Sequence, residues 1–243
     1  AELIRWNESA SRLAEHAGFV IPGGFSYQDR VRAGAIAAKS PLLEGVVREV
    51  EKGKPILGIC NGAQILVEAG LVPGETPGQV DVCLARNKVA GWEGYHARWV
   101  FVKPHAGHCF FTEGLEDPIP IVVAHGEGRF VTDDRKLWEK LRADGRFALT
   151  YCDSEGGAPE GFPENPNGSP DHVAGMSGLD GQVLAFMPHP ERASLLWQVP
   201  EDMAGVWGEK RRAAAGSVGE LAADGPGMVL LKAFGRLTKA GAV

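Results

Sequence analysis

Apolar positions along the chain fall into short runs separated by glycine- and proline-rich punctuation. Phe19-Val20-Ile21 is an apolar triplet stopped by Pro22-Gly23-Gly24, the pattern of a buried strand entering a tight loop. Residues 29–39 and 42–52 carry helical patterning, and Gly53 suits the position just past a helix end. Pro55-Ile56-Leu57-Gly58-Ile59 then reads as a second buried strand, and residues 61–69 as a helix closed by Gly70. Strand, helix, strand, helix in this order predicts parallel strands with helices packed on their faces.

The texture changes after residue 80. Val, Trp and Phe alternate with polar residues over 80–102, as in antiparallel strands. Residues 119–124 and 147–152 read as further strands and 136–143 as a helix. Residues 154–172 are rich in Gly, Pro and Asn and must be mostly loop. Residues 173–176 and 183–187 form a hairpin pattern around Gly178-Leu179-Asp180-Gly181. Residues 204–224 are polar and Ala-rich, a mobile or helical insertion, and 228–237 suit a terminal helix. The expectation is one α/β domain over residues 1–243. It has a mostly parallel central sheet flanked by helices, a small antiparallel section, and a polar insertion at 204–225.

Composition narrows the function classes. The 243 residues are 44% hydrophobic and 23% charged, ordinary for a globular chain. A net charge of -6 argues against non-specific nucleic-acid binding, which needs basic surface. No apolar run is long enough to span a membrane, and no leader pattern is visible, so a cytoplasmic location is expected. The four cysteines, Cys60, Cys83, Cys109 and Cys152, form no CxxC pair and read as reduced thiols.

One of them stands in a chemically suggestive context. Gly58-Ile59-Cys60-Asn61-Gly62 has the G-x-nucleophile-x-G pattern, with a strand before it and a helix after it. A nucleophile at such a turn sits in strained backbone, and flanking glycines remove the Cβ atoms that would clash. The helix dipole favours thiolate over thiol. The Asn61 N–H is left free to face an oxyanion, and a Gly23-Gly24 N–H could join it. A buried cysteine beside two packing glycines is the alternative reading of this pentapeptide taken alone.

A second segment supplies a base. The strand ending at Met187 runs into Pro188-His189-Pro190-Glu191. Two prolines fix the backbone around His189. In extended chain His189 and Glu191 project to the same side, so the carboxylate could orient the ring and stabilise imidazolium. Gln64 lies one helical turn beyond Cys60 and could meet a substrate's α-substituents. His105, His108 and Cys109 are close in sequence but lack a second ligand pair with zinc spacing, so they read as a loop with solvated histidines and no metal site is expected. Asp133-Asp134 suits a helix start.

These pieces, in this order, resemble the triad family of class I glutamine amidotransferases, a flavodoxin-like fold. Within it they are most similar to the glutaminase of phosphoribosylformylglycinamidine synthase. The resemblance is carried by Pro22-Gly23-Gly24-Phe25-Ser26-Tyr27, Arg32-Ala33-Gly34-Ala35, Gly58–Gly62, Arg98-Trp99-Val100, Ala124-His125-Gly126-Glu127-Gly128, Asn167-Gly168-Ser169 and Met187–Ala193. It covers residues 19–197.

The resemblance implies glutamine hydrolysis through a Cys60 thioester, with His189 moving the proton and Glu191 orienting it. It implies Gly24 and Asn61 at the oxyanion, and Phe25, Gln64, His125 and Gly126 around the substrate. It further implies ammonia transfer to a synthetase subunit and association with a small accessory subunit, with ATP and Mg on the synthetase and no cofactor in this chain. The product would be formylglycinamidine ribonucleotide, made from formylglycinamide ribonucleotide in purine synthesis. No GxxxxGK[ST] phosphate loop is present, consistent with ATP binding elsewhere.

Two departures stand out. Family members carry another strand and helix ahead of the segment matching Leu3–Trp6, so either residues precede Ala1 or the fold is modified. Gln28 stands where glycine is expected. Another class I amidotransferase or thiol hydrolase of this fold and a catalytically dead regulatory subunit remain the alternatives.

Overall fold

A computed structural model describes residues 1–76, 78–89 and 91–239, with the Trp92 side chain also left aside. The first strand, β1 (Phe19–Ile21), pairs in parallel with β2 (Ile56–Ile59) across α1 (Pro41–Val50). α1 starts where Ser40 caps the Leu43 N–H and Pro41 occupies the first turn, which has no intrahelical acceptor for its N–H groups. All four residues of β2 are buried, and α2 (Asn61–Glu68) follows directly, with every residue buried.

The middle of the chain is antiparallel. β3 (Cys83–Arg86), β4 (Lys88–Val89), β5 (Trp92–Glu93), β6 (His96–Pro104), β7 (Ile119–His125) and β8 (Glu127–Val131) precede α3 (Arg135–Ala143), capped by Asp134 as the Asp-Asp pair predicts. Then come β9 (Leu149–Cys152), β10 (Val173–Gly178) and β11 (Val183–Phe186). The main sheet has seven strands in the order β1-β2-β11-β10-β9-β6-β7. Parallel pairing is confined to β1–β2 and β2–β11; the other pairs are antiparallel. β3–β8 and β4–β5 form two small ribbons.

The sheet curls as a half-barrel. Its last strand, β7, comes back to the chain beyond β11, where Val122 bridges His189. The helix-flanked α/β sheet with smaller antiparallel pieces is therefore as expected, with more antiparallel pairing than the early strand–helix alternation suggests. Its core contains Ile56, Leu57, Leu66, Ile121, Leu149, Met176, Leu184 and Phe186, all essentially inaccessible to water.

One element differs from expectation. Residues 29–39 are not a helix. They hold only a short 3-10 turn at Ala37–Lys39, after a segment in which Tyr27, Gln28, Asp29 and Val31 take left-handed φ values of 50 to 72°. Gly34, at φ 83°, packs so closely that a Cβ would lie 2.7 Å from the Gln64 carbonyl carbon. Contact with α2, not local propensity, decides this stretch.

Residues 204–225 are largely helical, with α4 (Gly205–Ala213) and α5 (Val218–Leu221). Trp207 and Leu221 pack with Trp99 and Phe101 of β6 around Leu196, Val199, Met203 and Ala214, a second small apolar cluster. α6 (Met228–Lys239) covers Phe111, its Phe234 ring stacked at 6.2 Å. No helix among the described residues is long and apolar enough to cross a membrane.

Candidate active site

The strand-to-helix turn places Cys60 at φ 50°, ψ -106°, an unfavourable conformation for a residue with a Cβ. Packing enforces it. The Cys60 N–H donates to the Phe186 carbonyl at 2.8 Å. A Cβ on Gly58 would sit 2.6 Å from the Gly62 carbonyl oxygen, and one on Gly62 would sit 2.0 Å from that of Ile21. Both glycines are therefore required by the close approach of α2 to β1 and β2. The Asn61 N–H opens α2, among the first-turn donors that have no intrahelical acceptor.

His189 lies against this turn. Its N–H donates to the Val122 carbonyl at 2.7 Å, tying it to β7. The same strand holds the nucleophile, since the Cys60 thiol donates to the Ala124 carbonyl at 3.7 Å. A Cβ on Gly23 would stand 2.8 Å from His189 Cε1 and 3.6 Å from Cys60 Cβ, so this glycine clears the space in which the ring sits beside the cysteine. His189 Nδ1 bonds Glu191 Oε1 at 2.5 Å, while Nε2 is buried and unpaired. A thiol that points to Ala124 leaves Nε2 available for the proton it would take from sulfur.

The electrostatics suit an ion pair. Burial pulls the His189 imidazole down, but the adjacent Cys60 sulfur and the Glu191 carboxylate outweigh it and push it up to about 9. Burial raises the Glu191 carboxyl, but the bond to His189, the His189 charge, its own backbone N–H and the Arg192 charge together outweigh it, leaving it below the usual carboxylate range. Burial pushes the Cys109 thiol up to about 11 and the Cys152 thiol up to about 12, and also raises Cys83.

Beside Cys60 opens a cavity of about 310 Å³. Of the residues singled out in the sequence, Gly24, Phe25, Gln64, His125 and Gly126 line it with Cys60. Gln64 Nε2 donates to the Glu127 carbonyl at 2.7 Å and its Oε1 accepts from Asn61 Nδ2 at 2.9 Å, which fixes the amide in the cavity wall with one donor and one acceptor position left over. Asn61 Oδ1 in turn accepts the Ser26 N–H at 3.2 Å, which holds the loop carrying Gly24 and Phe25 against α2.

His125 is buried and uncharged. Burial, then the neighbouring His189 and His96, push it down to about 3. Asp29, Arg86 and Tyr95 also line the cavity and were not foreseen as site residues. They come from three separate segments, and no spacing in the chain announces their meeting.

The remaining candidates are structural. His105 Nε2 bonds the Thr150 hydroxyl at 2.8 Å and His108 Nδ1 bonds that of Ser177 at 3.2 Å, so these histidines are half-buried and engaged, not solvated. Among the described residues no group of three His, Cys, Asp or Glu side chains is placed to hold a metal ion.

Comparison with known proteins agrees with this chemistry. Residues 3–214 match the CobB/CobQ-like glutamine amidotransferase domain. A phosphoribosylformylglycinamidine synthase subunit PurQ from Methanothrix thermoacetophila is 45% identical over 211 residues, which are 82% of this chain and 79% of that protein. The subunit PurQ of Pyrococcus furiosus is 39% identical, over 83% of this chain and 81% of its own. Among solved structures, that of PurLQS from Thermotoga maritima superposes with a TM-score of 0.55 at 33% identity, covering 80% of this chain and 76% of the other. A strained cysteine turn facing a His–Glu pair, in a chain this similar to PurQ subunits, belongs to the glutamine amidotransferase family.

Proposed function

We propose that this chain is the glutaminase subunit of a phosphoribosylformylglycinamidine synthase, with Cys60, His189 and Glu191 as its catalytic residues. The observation that carries the reading is the strained Cys60 turn with the His189–Glu191 pair beside it and a cavity in front. His189 Nε2 takes the thiol proton, and the Cys60 sulfur attacks the side-chain carbonyl carbon of glutamine. The carbonyl oxygen becomes an oxyanion that the N–H groups of Asn61 and Gly24 stabilise. Collapse of the adduct breaks the C–N bond, and His189 delivers its proton to the leaving nitrogen, releasing ammonia and a γ-glutamyl thioester. Water, deprotonated by His189, then cleaves the thioester to glutamate and regenerates the thiol. Glu191 keeps the ring oriented and stabilises imidazolium throughout.

The ammonia acceptor is a synthetase subunit that converts formylglycinamide ribonucleotide to formylglycinamidine ribonucleotide. ATP and Mg bind there, and a small accessory subunit completes the assembly. Similarity to PurQ subunits and to the PurLQS structure supports this. The test is reconstitution with a synthetase subunit. Glutamine-dependent formation of the amidine product is expected, lost in Cys60→Ala and restored to that variant by free ammonia. Failure of ammonia to rescue Cys60→Ala would contradict the division of labour.

A further inference from the structure

One wall of the cavity beside Cys60 is built from strained backbone. Gly24, Phe25 and Asp29 line the cavity, and all belong to the loop between β1 and the short turn at Ala37–Lys39. Within this loop Tyr27, Gln28, Asp29 and Val31 take left-handed φ, and Val31, with its branched Cβ, does so at 72°. The loop's own backbone bonds span short turns. The Gln28 N–H donates to the Phe25 carbonyl and the Arg30 N–H to that of Tyr27, each at 3.3 Å. Such turns do not hold several strained residues unaided, so ties to the surrounding structure must do so.

Three ties run to one face of α2. The Ser26 N–H donates to Asn61 Oδ1 at 3.2 Å. Gly34 packs on the backbone of Gln64 and Ile65. Arg32 Nε and Nη2 donate to the two carboxylate oxygens of Glu68 at 2.7 and 2.6 Å. Asn61, Gln64 and Glu68 follow one another at i, i+3 and i+7, which places them on a single stripe of the helix. The loop is thus strapped along the helix that starts at the nucleophile. Its charged tie is the far one, about two turns of helix beyond Cys60. Glu68 is buried, and a buried carboxylate keeps its charge only against a partner. Arg32 supplies that partner as a fork, which fixes orientation as well as distance.

We propose that Arg32 and Glu68 are positioning residues for glutamine hydrolysis, a latch that holds the loop on α2 with Gly24 and Phe25 in the cavity wall. Neither residue touches the substrate; both act through the loop. With the latch open, the left-handed residues relax and draw Gly24 and Phe25 out of the wall. Cys60 stays in place, because Gly58 and Gly62 clamp its turn independently. This rests on the glutaminase reading of Cys60.

The test uses the full chain and two reagents that separate the loop from the thiol. Iodoacetamide reports the Cys60 thiol alone, whereas a diazo-ketone analogue of glutamine must also fit the cavity wall. Both adducts are followed on Cys60 by intact mass and peptide mapping. In Arg32→Gln the analogue should react about 10-fold more slowly, the scale of one charge-assisted hydrogen bond, while the iodoacetamide rate stays within about twofold of wild type. Glu68→Gln should act in the same direction. Arg32→Lys, which restores the charge without the fork, should recover part of the loss. The double variant Arg32→Gln/Glu68→Gln should be no slower than Arg32→Gln, as for two residues acting as one unit. An unchanged ratio of the two rates in folded Arg32→Gln would show a pair that only stabilises the fold. That result would overturn the inference and leave the glutaminase reading intact, and where Arg32→Gln does not fold, Glu68→Gln decides. Absence of analogue labelling in the wild type would instead remove the glutaminase reading, and the inference with it.

Discussion

Of the segments that hold non-glycine residues at positive φ, the Cys60 turn and the loop at 27–31 do so by opposite means. At Cys60 the conformation is clamped. β2 and α2 are buried throughout, and Gly58 and Gly62 leave no room for the chain to relax. At Tyr27, Gln28, Asp29 and Val31 the strained residues are mostly exposed, Val31 at 87%. That loop is held by only a few ties. Ser26 N–H bonds Asn61, and Arg32 grips the buried Glu68 carboxylate through two bonds of 2.7 and 2.6 Å. A clamped turn keeps a nucleophile in one place through many turnovers. A loosely tied loop at the cavity mouth can admit and release a ligand.

The comparison yields predictions of decreasing size. Cys60→Ala removes the nucleophile and should lower ammonia release from glutamine by about 10⁴-fold or more, measured in steady state. Glu191→Gln keeps the shape but removes the charge that holds and stabilises imidazolium. It should cost about 10³-fold in kcat, with much less effect on KM.

The same variant carries a pH signature. His189 lies above its ordinary value near 6.5, pushed to about 9 by its partners against burial. The folded protein therefore gains stability from the protonated ring below about 6.5, and this contribution is lost as pH rises through about 9. General-acid delivery of a proton to the leaving nitrogen should fade over the same upper range. Glu191→Gln should move that alkaline limb toward lower pH, in kcat profiles and in NMR titration of the ring. An unmoved limb would show that Glu191 does not set the His189 charge.

Gly62→Ala drives a Cβ into the Ile21 carbonyl and should destabilise the fold by about 3 kcal/mol in urea unfolding. Gln28→Gly tests the other region. Relief of left-handed strain, less the entropy cost of glycine, should stabilise by about 0.5–1 kcal/mol. Equal effects of these two glycine changes, in sign and size, would erase the distinction between clamped and loose strain.

The clamped region was legible in the sequence because its constraints are local. A buried strand, a G-x-C-x-G turn and a helix follow one another within about a dozen residues, and the His189–Glu191 pair sits in one proline-fixed segment. The loose region was not. Residues 29–39 carry helical patterning, yet contact of Gly34 with α2 and the ties at Ser26 and Arg32 bend the segment into turns. The glycine expected at position 28 was the one local sign, since Gln28 takes the φ of 57° that glycine would adopt freely.

Gln64 illustrates the same limit. Its place one turn after Cys60 puts it on the cavity, but the bonds that fix its amide there, to the Glu127 carbonyl and to Asn61 Nδ2, do not follow from that spacing. The meeting of Asp29, Arg86 and Glu127 on one cavity joins residues from distant segments, and periodicity carries no record of it. The curling of the sheet that brings β7 to His189 is likewise a property of seven strands together.

The most direct measurement of the central claim is covalent labelling with a diazo-ketone analogue of glutamine, followed by intact mass and peptide mapping, with Cys60→Ala as control. A single adduct on Cys60, suppressed by excess glutamine and absent from the variant, is the result predicted by a clamped nucleophile in a glutamine cavity. Absence of any adduct, or equal labelling of Cys83, Cys109 and Cys152, would contradict it.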